Sequence, residues 1–159
     1  MPIQISYLAD HPEWIAKVAE WFEEEWGSVW KPRTFNGWWD IAANHSNHSR
    51  LPIAYVAHKN GRIFGAAALD PHPPIPLLDE FAGAWMSGLF LERDPYEEYH
   101  KALMVQKICE TALSFDHLKI HTIARVADQR FNYEGHGWEQ VGTVEMAACQ
   151  VRVLQMIVR

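Results

Sequence analysis

The chain has 159 residues, of which 48% are apolar and 13% aromatic, and this suits one globular domain over residues 1–159 with a sizeable core. A net charge of -6 without a Lys/Arg cluster argues against nucleic acid or an anionic membrane as the partner, because both are bound through basic patches. The two cysteines are far apart in the sequence, so neither a disulfide framework nor a zinc ribbon is indicated. The first residues lack a signal-peptide pattern, and we expect a cytoplasmic protein.

The N-terminal part of the chain predicts one strand followed by two helices. Residues 3–8 alternate weakly, as in a strand, and Pro12 stands where a helix start favours proline. The first helix carries aromatic residues on one side and charged residues on the other, and it ends near Gly27. Thr34 is the predicted cap of a second helix that runs to Ala42.

Residues 44–49, Asn-His-Ser-Asn-His-Ser, predict a solvated polar loop after the second helix. The spacing of His45 and His48 suits a metal ion, but no third ligand stands nearby with suitable spacing. We therefore expect no metal site here.

The next segment has the pattern of a β-hairpin. Residues 51–58 and 63–69 are apolar and rich in strand-forming residues, and Asn60-Gly61 between them is a strong turn signal. Residues 70–81 contain four prolines, which cannot pair inside a central strand, so they predict a surface loop.

Residues 84–106 predict a strand, a tight loop and a long helix. The apolar run at the start of this segment contains a small residue, Gly88. Residues 102–110 have apolar side chains at helical spacing, so we expect Cys109 to lie on the side of the helix that packs in the core. Such a unit can present a helix N-terminus to an anionic ligand just past the strand.

The C-terminal part predicts three more strands. Residues 120–127 form the first, and Asp128 is the predicted cap of a short helix over residues 129–134. Two further strands follow over residues 137–144 and 149–158.

In this order the elements resemble the GNAT superfamily of acyl-CoA-dependent N-acetyltransferases. Residues 88–91, Gly-Leu-Phe-Leu, match the family's central strand, residues 102–110 match its long helix, and residues 51–69 match its second and third strands. Tyr133, four residues before Gly137, falls on a tyrosine of the family. The resemblance implies an α/β (α+β) fold: a mixed, mainly antiparallel sheet of six or seven strands flanked by about four helices.

The chain departs from the family at the loop that binds the pyrophosphate. The family has Arg/Gln-x-x-Gly-x-Gly/Ala there, whereas this chain has Tyr96, Tyr99 and Lys101 at the three defining positions. Asp94 and Glu97, with a proline between them, instead have the form of a helix start that caps itself. The side chains of Arg93, His100 and Lys101 remain able to bind phosphate.

The resemblance implies transfer of an acetyl group from acetyl-CoA, a co-substrate, to a primary amine of a small molecule or peptide, without a metal. An inactive binding or regulatory module that has lost CoA is the alternative, and a homodimer is compatible with either. Backbone N–H groups of Leu89 and Phe90 would contact the thioester if their strand splays from its neighbour. The residues implied in cofactor binding are Leu89, Phe90, Leu91, Tyr99, His100, Lys101 and Ala102.

Three side chains are candidates for the chemistry. The resemblance assigns Tyr133 as the acid that protonates the CoA sulfur, although it could equally pack the end of the sheet. Asp70 and Glu92, each at the end of a strand, are candidate general bases, with ordinary surface charge as the alternative for both.

Eight tryptophans are more than a core of this size usually needs, and their faces suit an amine cation or a flat ring. Core packing is the alternative for most of them. The tryptophans predicted to line an acceptor pocket are Trp30, Trp38, Trp39 and Trp85.

Overall fold

The structure is a computed structural model that describes residues 3–28, 30–126, 130–146 and 149–159. Seven strands form one sheet in the order β1-β2-β3-β4-β5-β7-β6, and every neighbouring pair is antiparallel except β4 and β5. The strands are β1 (Gln4–Tyr7), β2 (Ile53–Lys59), β3 (Arg62–Asp70), β4 (Ala84–Leu91), β5 (Lys119–Arg125), β6 (Glu139–Met146) and β7 (Cys149–Ile157).

The described residues contain three α-helices, one fewer than the approximate number predicted. They are α1 (Ile15–Trp26), α2 (Trp38–Asn44) and α3 (Glu97–Ser114). The predicted mixed, mainly antiparallel seven-stranded sheet is confirmed. None of these helices has the length and apolar character that crossing a membrane requires.

The predicted hairpin is confirmed as β2 and β3. Asn60 and Gly61 have φ angles of 54° and 75°, which are left-handed backbone conformations that Asn and Gly adopt at low cost. Two such residues in succession form the tight turn whose twist matches the flanking strands. The local sequence alone therefore specifies this part of the sheet.

The sheet is packed on both faces. Helix α3 covers one face, where Met104 and Ile108 are buried against residues such as Tyr55. Helix α1 covers the other face with the predicted aromatic stripe, in which Trp21 and Phe22 are buried. On α3, burial raises the pKa of the Cys109 thiol to about 11, and its neighbour Glu110 adds to the effect.

The second helix begins later than predicted. The Thr34 carbonyl accepts a hydrogen bond from the Gly37 N–H at 3.1 Å, which closes a turn, and Gly37 has a φ of 55°. Helix α2 starts only at Trp38, since the chain must pass through this left-handed residue first. Thr34 is therefore not the helix cap.

The short helix predicted over residues 129–134 is wrong within the described residues. The structure has a single 3-10 turn at Glu134–His136, and Gly137 ends it with a φ of 93°. Its predicted cap, Asp128, lies outside the described residues. Gly137 provides the left-handed conformation that stops the turn and starts the path to β6.

Candidate active site

Strands β4 and β5 pair only at their beginnings. The parallel register includes Ala84 opposite Ile120 and Trp85 opposite His121, and both strands then continue without pairing to each other. Just beyond the last pair, the Thr122 hydroxyl donates a hydrogen bond across to the Met86 carbonyl at 2.9 Å. The two strands therefore diverge, as required for the thioester-binding arrangement that the resemblance implies, and we call the space between them the interstrand gap.

A bulge in β4 accompanies this divergence. On the other side of β4, Ala68 lies opposite Gly88 and Leu69 lies opposite Met86, so Ser87 is an extra residue in the ladder. The Ser87 carbonyl accepts a hydrogen bond from the Trp26 indole N–H at 2.9 Å. A bulge bends its strand, which explains how β4 can leave β5 while it remains paired to β3.

The interstrand gap contains a hollow of about 90 Å³, whose lining includes Glu25 of α1 and Lys101 of α3. A neighbouring hollow of about 430 Å³ shares five of its lining residues with it. Those shared residues are Glu25, Leu89, Lys101, Arg125 and Arg130.

Tyr133 lies at the smaller hollow and is half-buried. Its ring packs edge-on against Phe131 at 4.8 Å and Trp138 at 5.8 Å between ring centroids. The two neighbours fix the ring, and both interpretations of Tyr133 fit this position: it packs the end of the sheet and it also reaches the gap.

Helix α3 begins at Glu97, and Tyr96 stands at its cap position without a capping side-chain hydrogen bond, so the predicted helix start with Asp94 as the cap is wrong. One Asp94 side-chain oxygen accepts a hydrogen bond from the Tyr96 N–H at 2.6 Å, and the Asp94 carbonyl accepts one from the Glu97 N–H at 3.2 Å. Asp94 therefore closes a turn one step before the helix, whereas Tyr96 is the residue at the helix boundary. These two N–H groups are already satisfied within the loop, so the loop does not form a backbone cradle for phosphate.

Both carboxylates in the first turn of α3 have partners. Glu97 forms ion pairs with Lys101 at 3.8 Å and with Arg130, and Arg130 also donates to the Leu91 carbonyl at 3.3 Å. Glu98 accepts a hydrogen bond from the backbone N–H of Asn132 at 3.1 Å. These contacts connect α3 to the segment just before Tyr133 and hold that segment beside the gap.

The predicted cofactor residues are divided between two places. Leu89, Phe90, Leu91 and Lys101 line the hollows of the gap. Tyr99 is exposed, His100 packs against the Phe64, Tyr96 and Tyr99 rings, and Ala102 packs on the core. The last three residues do not line these hollows.

A mainly apolar opening lies on the α1 side of the sheet, and we call it the aromatic cavity. Its volume is about 500 Å³, and α1, α2, the connection between them and the Pro-rich loop surround it. The lining residues are Phe22, Trp26, Trp30, Pro32, Arg33, Thr34, Trp38, Asp40, Ile41, Asn44, His45, Asp70, His72, Pro74, Ile75 and Ser87.

Asp70 is brought into this cavity with two partners. Its Oδ2 accepts a hydrogen bond from His45 Nε2 at 3.1 Å and another from the Ser87 hydroxyl. The other ring nitrogen of His45, Nδ1, lies 2.7 Å from the Ile41 carbonyl, which can only accept. Both nitrogens of His45 thus face acceptors, which favours the imidazolium form.

The electrostatics of His45 agree with this geometry. Burial alone would lower its pKa, but the negative charge of Asp70 and the hydrogen bonds to Asp70 and Ile41 outweigh burial and raise the pKa above its ordinary value of 6.5. The prediction of a solvated loop is wrong for this residue, since His45 is buried, whereas His48 is exposed and bonds to Asp10. No group of three or more potential metal ligands occurs among the described residues.

We expect the raised pKa of His45 to make stability depend on pH. A group whose pKa is higher in the folded state stabilises the protein below its unfolded pKa, and that contribution is lost as the pH rises through the folded pKa. The free energy of unfolding should therefore fall as the pH rises above 6.5. Urea denaturation from pH 6 to pH 9 measures this slope. His45→Gln should flatten it, and an unchanged slope in that variant would contradict the assignment.

The two base candidates lie at opposite ends of β4. Asp70 is opposite Trp85 at the start of the strand, and Glu92 follows its end. Glu92 forms an ion pair with Arg62 at the surface and lines the larger hollow of the gap. The structure does not bring the two carboxylates together, and only Asp70 lies in the aromatic cavity.

The four predicted tryptophans also separate. Trp30 and Trp38 line the aromatic cavity, with their rings edge to face and 5.5 Å apart. Trp39 is 45% exposed and lies outside the cavity lining. Trp85 is fully buried, and its indole N–H donates to the Phe81 carbonyl at 2.7 Å, so it has a core position.

Sequence reasoning missed three polar residues of the site: Glu25, His45 and Ser87. Glu25 could have been found, because it stands three residues after Phe22 and four after Trp21, spacings that place it near the buried side of α1. His45 and Ser87 carry no such local signal, since the first stands in a polar run and the second in an apolar one.

Comparison with known proteins identifies the fold. No family model and no curated protein matches the sequence. Among solved structures, the chain superposes on aminoglycoside 6'-acetyltransferase type Ii with a TM-score of 0.71 and 15% identity, over 100% of this chain and 98% of the other. An acetyltransferase of the GNAT family from Streptococcus pneumoniae matches with a TM-score of 0.67 and 13% identity, over 99% and 100%.

A third match is a chain of the NatC complex bound to Gag peptide and CoA, with a TM-score of 0.68 and 14% identity over 100% of both chains. The low identities leave the fold as the shared property. The chain has the fold of the GNAT acetyltransferases.

Proposed function

We propose that this chain is a single-domain acyl-CoA-dependent N-acetyltransferase that transfers an acetyl group to a primary amine. The observation that carries the proposal is the divergence of β4 from β5 immediately after the Trp85–His121 pair. The resulting gap has Tyr133 at one wall, and the aromatic cavity opens on the same strand at Ser87. A donor and an acceptor can therefore meet at β4 from two directions.

The gap fits the thioester arm of acetyl-CoA. Beyond Trp85, the edge of β4 that faces β5 lacks a strand partner, so the backbone N–H of Leu89, which alternates to this edge, would donate to the thioester carbonyl, whereas the N–H of Phe90 faces β3. The nucleotide end has no glycine cradle, since Asp94 closes the start of α3. Side chains such as Arg93 and Arg125, which line the larger hollow, would hold the phosphates instead.

Acetyl-CoA supplies an activated acetyl group, and the transfer forms a C–N bond while the C–S bond breaks. In this proposal, the Tyr133 phenol gives its proton to the leaving sulfur and later recovers one from solvent. Asp70 holds the amine, since both of its hydrogen bonds among the described residues use Oδ2, which leaves Oδ1 to accept from the substrate. The proton lost by the amine passes to a carboxylate, for which Asp70 and Glu25 are better placed than Glu92.

One observation favours the alternative of an inactive module. At the start of α3 the N–H groups of Tyr96 and Glu97 bond to Asp94, and Glu97 and Glu98 add two carboxylates, which is the opposite of a phosphate-binding loop. Such a module would keep the fold and the aromatic cavity but would not bind acetyl-CoA.

Binding of acetyl-CoA separates the two functions. At a hundredfold excess over Kd, acetyl-CoA should stabilise the protein by about 2.7 kcal/mol in a thermal unfolding experiment. Ala124→Trp places an indole in the gap and should abolish the shift, whereas Leu118→Trp changes an exposed residue and should keep it. Circular dichroism confirms that both variants fold. No shift of the wild-type protein at millimolar acetyl-CoA would favour the inactive module.

A further inference from the structure

The aromatic cavity has two chemically different ends. Most of its lining consists of aromatic, proline and aliphatic side chains, and we call this part the apolar end. The polar end is the cluster of Asp70, His45 and Ser87, in which His45 and Ser87 are buried. The remaining polar lining residues are Arg33, Thr34, Asp40, Asn44 and His72. A few polar groups that converge at one end of an apolar pocket are typical of small-molecule sites, which usually have volumes of about 300–1,000 Å³. The volume of the aromatic cavity, about 500 Å³, lies in this range.

The apolar end is shaped for a flat or compact body. Trp30 and Trp38 stand at an interplanar angle of 77° and form a corner, and Ile75 is buried in the opposite Pro-rich loop. Phe22 and Trp26 contribute further apolar surface from α1. A ring that enters this corner meets one indole face and one indole edge, the two arrangements that aromatic pairs prefer.

The polar end directs an amine toward the gap. Asp70 is fixed by His45 and Ser87 at Oδ2, and its Oδ1 accepts no hydrogen bond within the described residues. Ser87 is the bulged residue of β4, two positions before Leu89 of the gap, which is roughly 6.6 Å along a strand. An amine that donates to Asp70 thus lies close to the point where the thioester carbonyl is expected.

We propose that the acceptor is a small primary amine carried on a compact apolar body, either aromatic or alicyclic. Its ring occupies the corner between Trp30 and Trp38, and its nitrogen donates to Asp70. This inference rests on the acetyltransferase function proposed above and specifies the substrate class of the same site.

The lining disfavours the other acceptor classes. A polyhydroxylated polycation would bury many hydroxyl and ammonium groups against apolar walls, where each unpaired polar group is costly. The residues of a peptide after the first carry backbone N–H and C=O groups, and the apolar end of the cavity offers these groups few hydrogen-bond partners. A compact apolar amine buries only one polar group, and that group meets Asp70.

Two measurements test the proposal separately from the function on which it rests. Calorimetric titration of 2-phenylethylamine into the protein without acetyl-CoA measures filling of the cavity alone. Steady-state transfer from acetyl-CoA then compares 2-phenylethylamine, cyclohexylmethylamine, kanamycin and a hexapeptide with a free N-terminus. We expect kcat/KM for the two apolar amines to exceed that for kanamycin and the peptide at least 100-fold. Trp30→Ala should lower kcat/KM for 2-phenylethylamine at least tenfold, whereas Leu118→Ala, at an exposed site, should not.

The outcomes distinguish the two claims. Acetyl-CoA binding together with preferred transfer to kanamycin or the peptide overturns the substrate class and leaves the acetyltransferase function intact. Calorimetric binding of 2-phenylethylamine without transfer to any amine supports the cavity assignment and overturns the catalytic function. If Trp30→Ala does not fold, the ranking of the four acceptors by the wild-type protein still decides the proposal.

Discussion

Replacing Tyr133 with Phe should lower kcat about 100-fold and leave the KM for acetyl-CoA nearly unchanged. Protonation of a leaving group by a positioned acid typically contributes about 10²–10⁴ to the rate. The phenyl ring keeps the edge contacts to Phe131 and Trp138, so the variant removes one hydroxyl and little packing. An interaction made only in the transition state affects kcat and kcat/KM equally, and steady-state kinetics measure this.

The matched control removes a phenol elsewhere. Tyr55 donates or accepts a hydrogen bond with the Thr111 hydroxyl at 2.6 Å in the buried contact between β2 and α3, and burial raises its pKa to about 12. Tyr55→Phe should therefore lower stability without a change in kcat. An unchanged kcat in Tyr133→Phe would show that Tyr133 packs the end of the sheet and does not act as the acid.

The order of elements could be predicted because the signals are local. The hairpin is specified by Asn60-Gly61, whose left-handed conformations the sequence names directly. The turn before α3 is also signalled locally, since the side chain of Asp94 bonds within that turn, although the helix itself starts only at Glu97. In each case, the residues that decide the structure stand within a few positions of one another.

The candidate site could be predicted only in part because its residues meet through the fold. Asp70 and His45 are 25 positions apart, and neither one alone indicates a buried ion pair. The gap depends on one extra residue, Ser87, in the ladder between β3 and β4, and a single inserted residue leaves no mark in an apolar run. The sequence thus predicts Asp70 and Tyr133 as candidates, whereas the partners that orient Asp70 appear only in three dimensions.

Asp70→Asn should cause the largest combined loss of stability and activity. At pH 6 we expect the free energy of unfolding to fall by about 2–3 kcal/mol, since the variant cannot form the ion pair between Asp70 and protonated His45. We also expect kcat/KM for the amine to fall at least tenfold, because a hydrogen bond to a charged group contributes about 1.5–3 kcal/mol. Urea denaturation and steady-state kinetics measure the two effects, and Asp79→Asn, on the exposed loop, should change neither.

The pH dependence of this variant separates the two roles of Asp70. Without the carboxylate, burial keeps His45 neutral, and the wild-type protein reaches the same neutral state as the pH rises through the raised pKa. The stability difference between wild type and Asp70→Asn should consequently shrink from pH 6 to pH 9. If the loss of kcat/KM persists at pH 9, Asp70 acts on the amine itself. If activity recovers together with stability, Asp70 acts only through His45. The amine then donates its hydrogen bond to another carboxylate, and Glu25 in the gap is the next candidate.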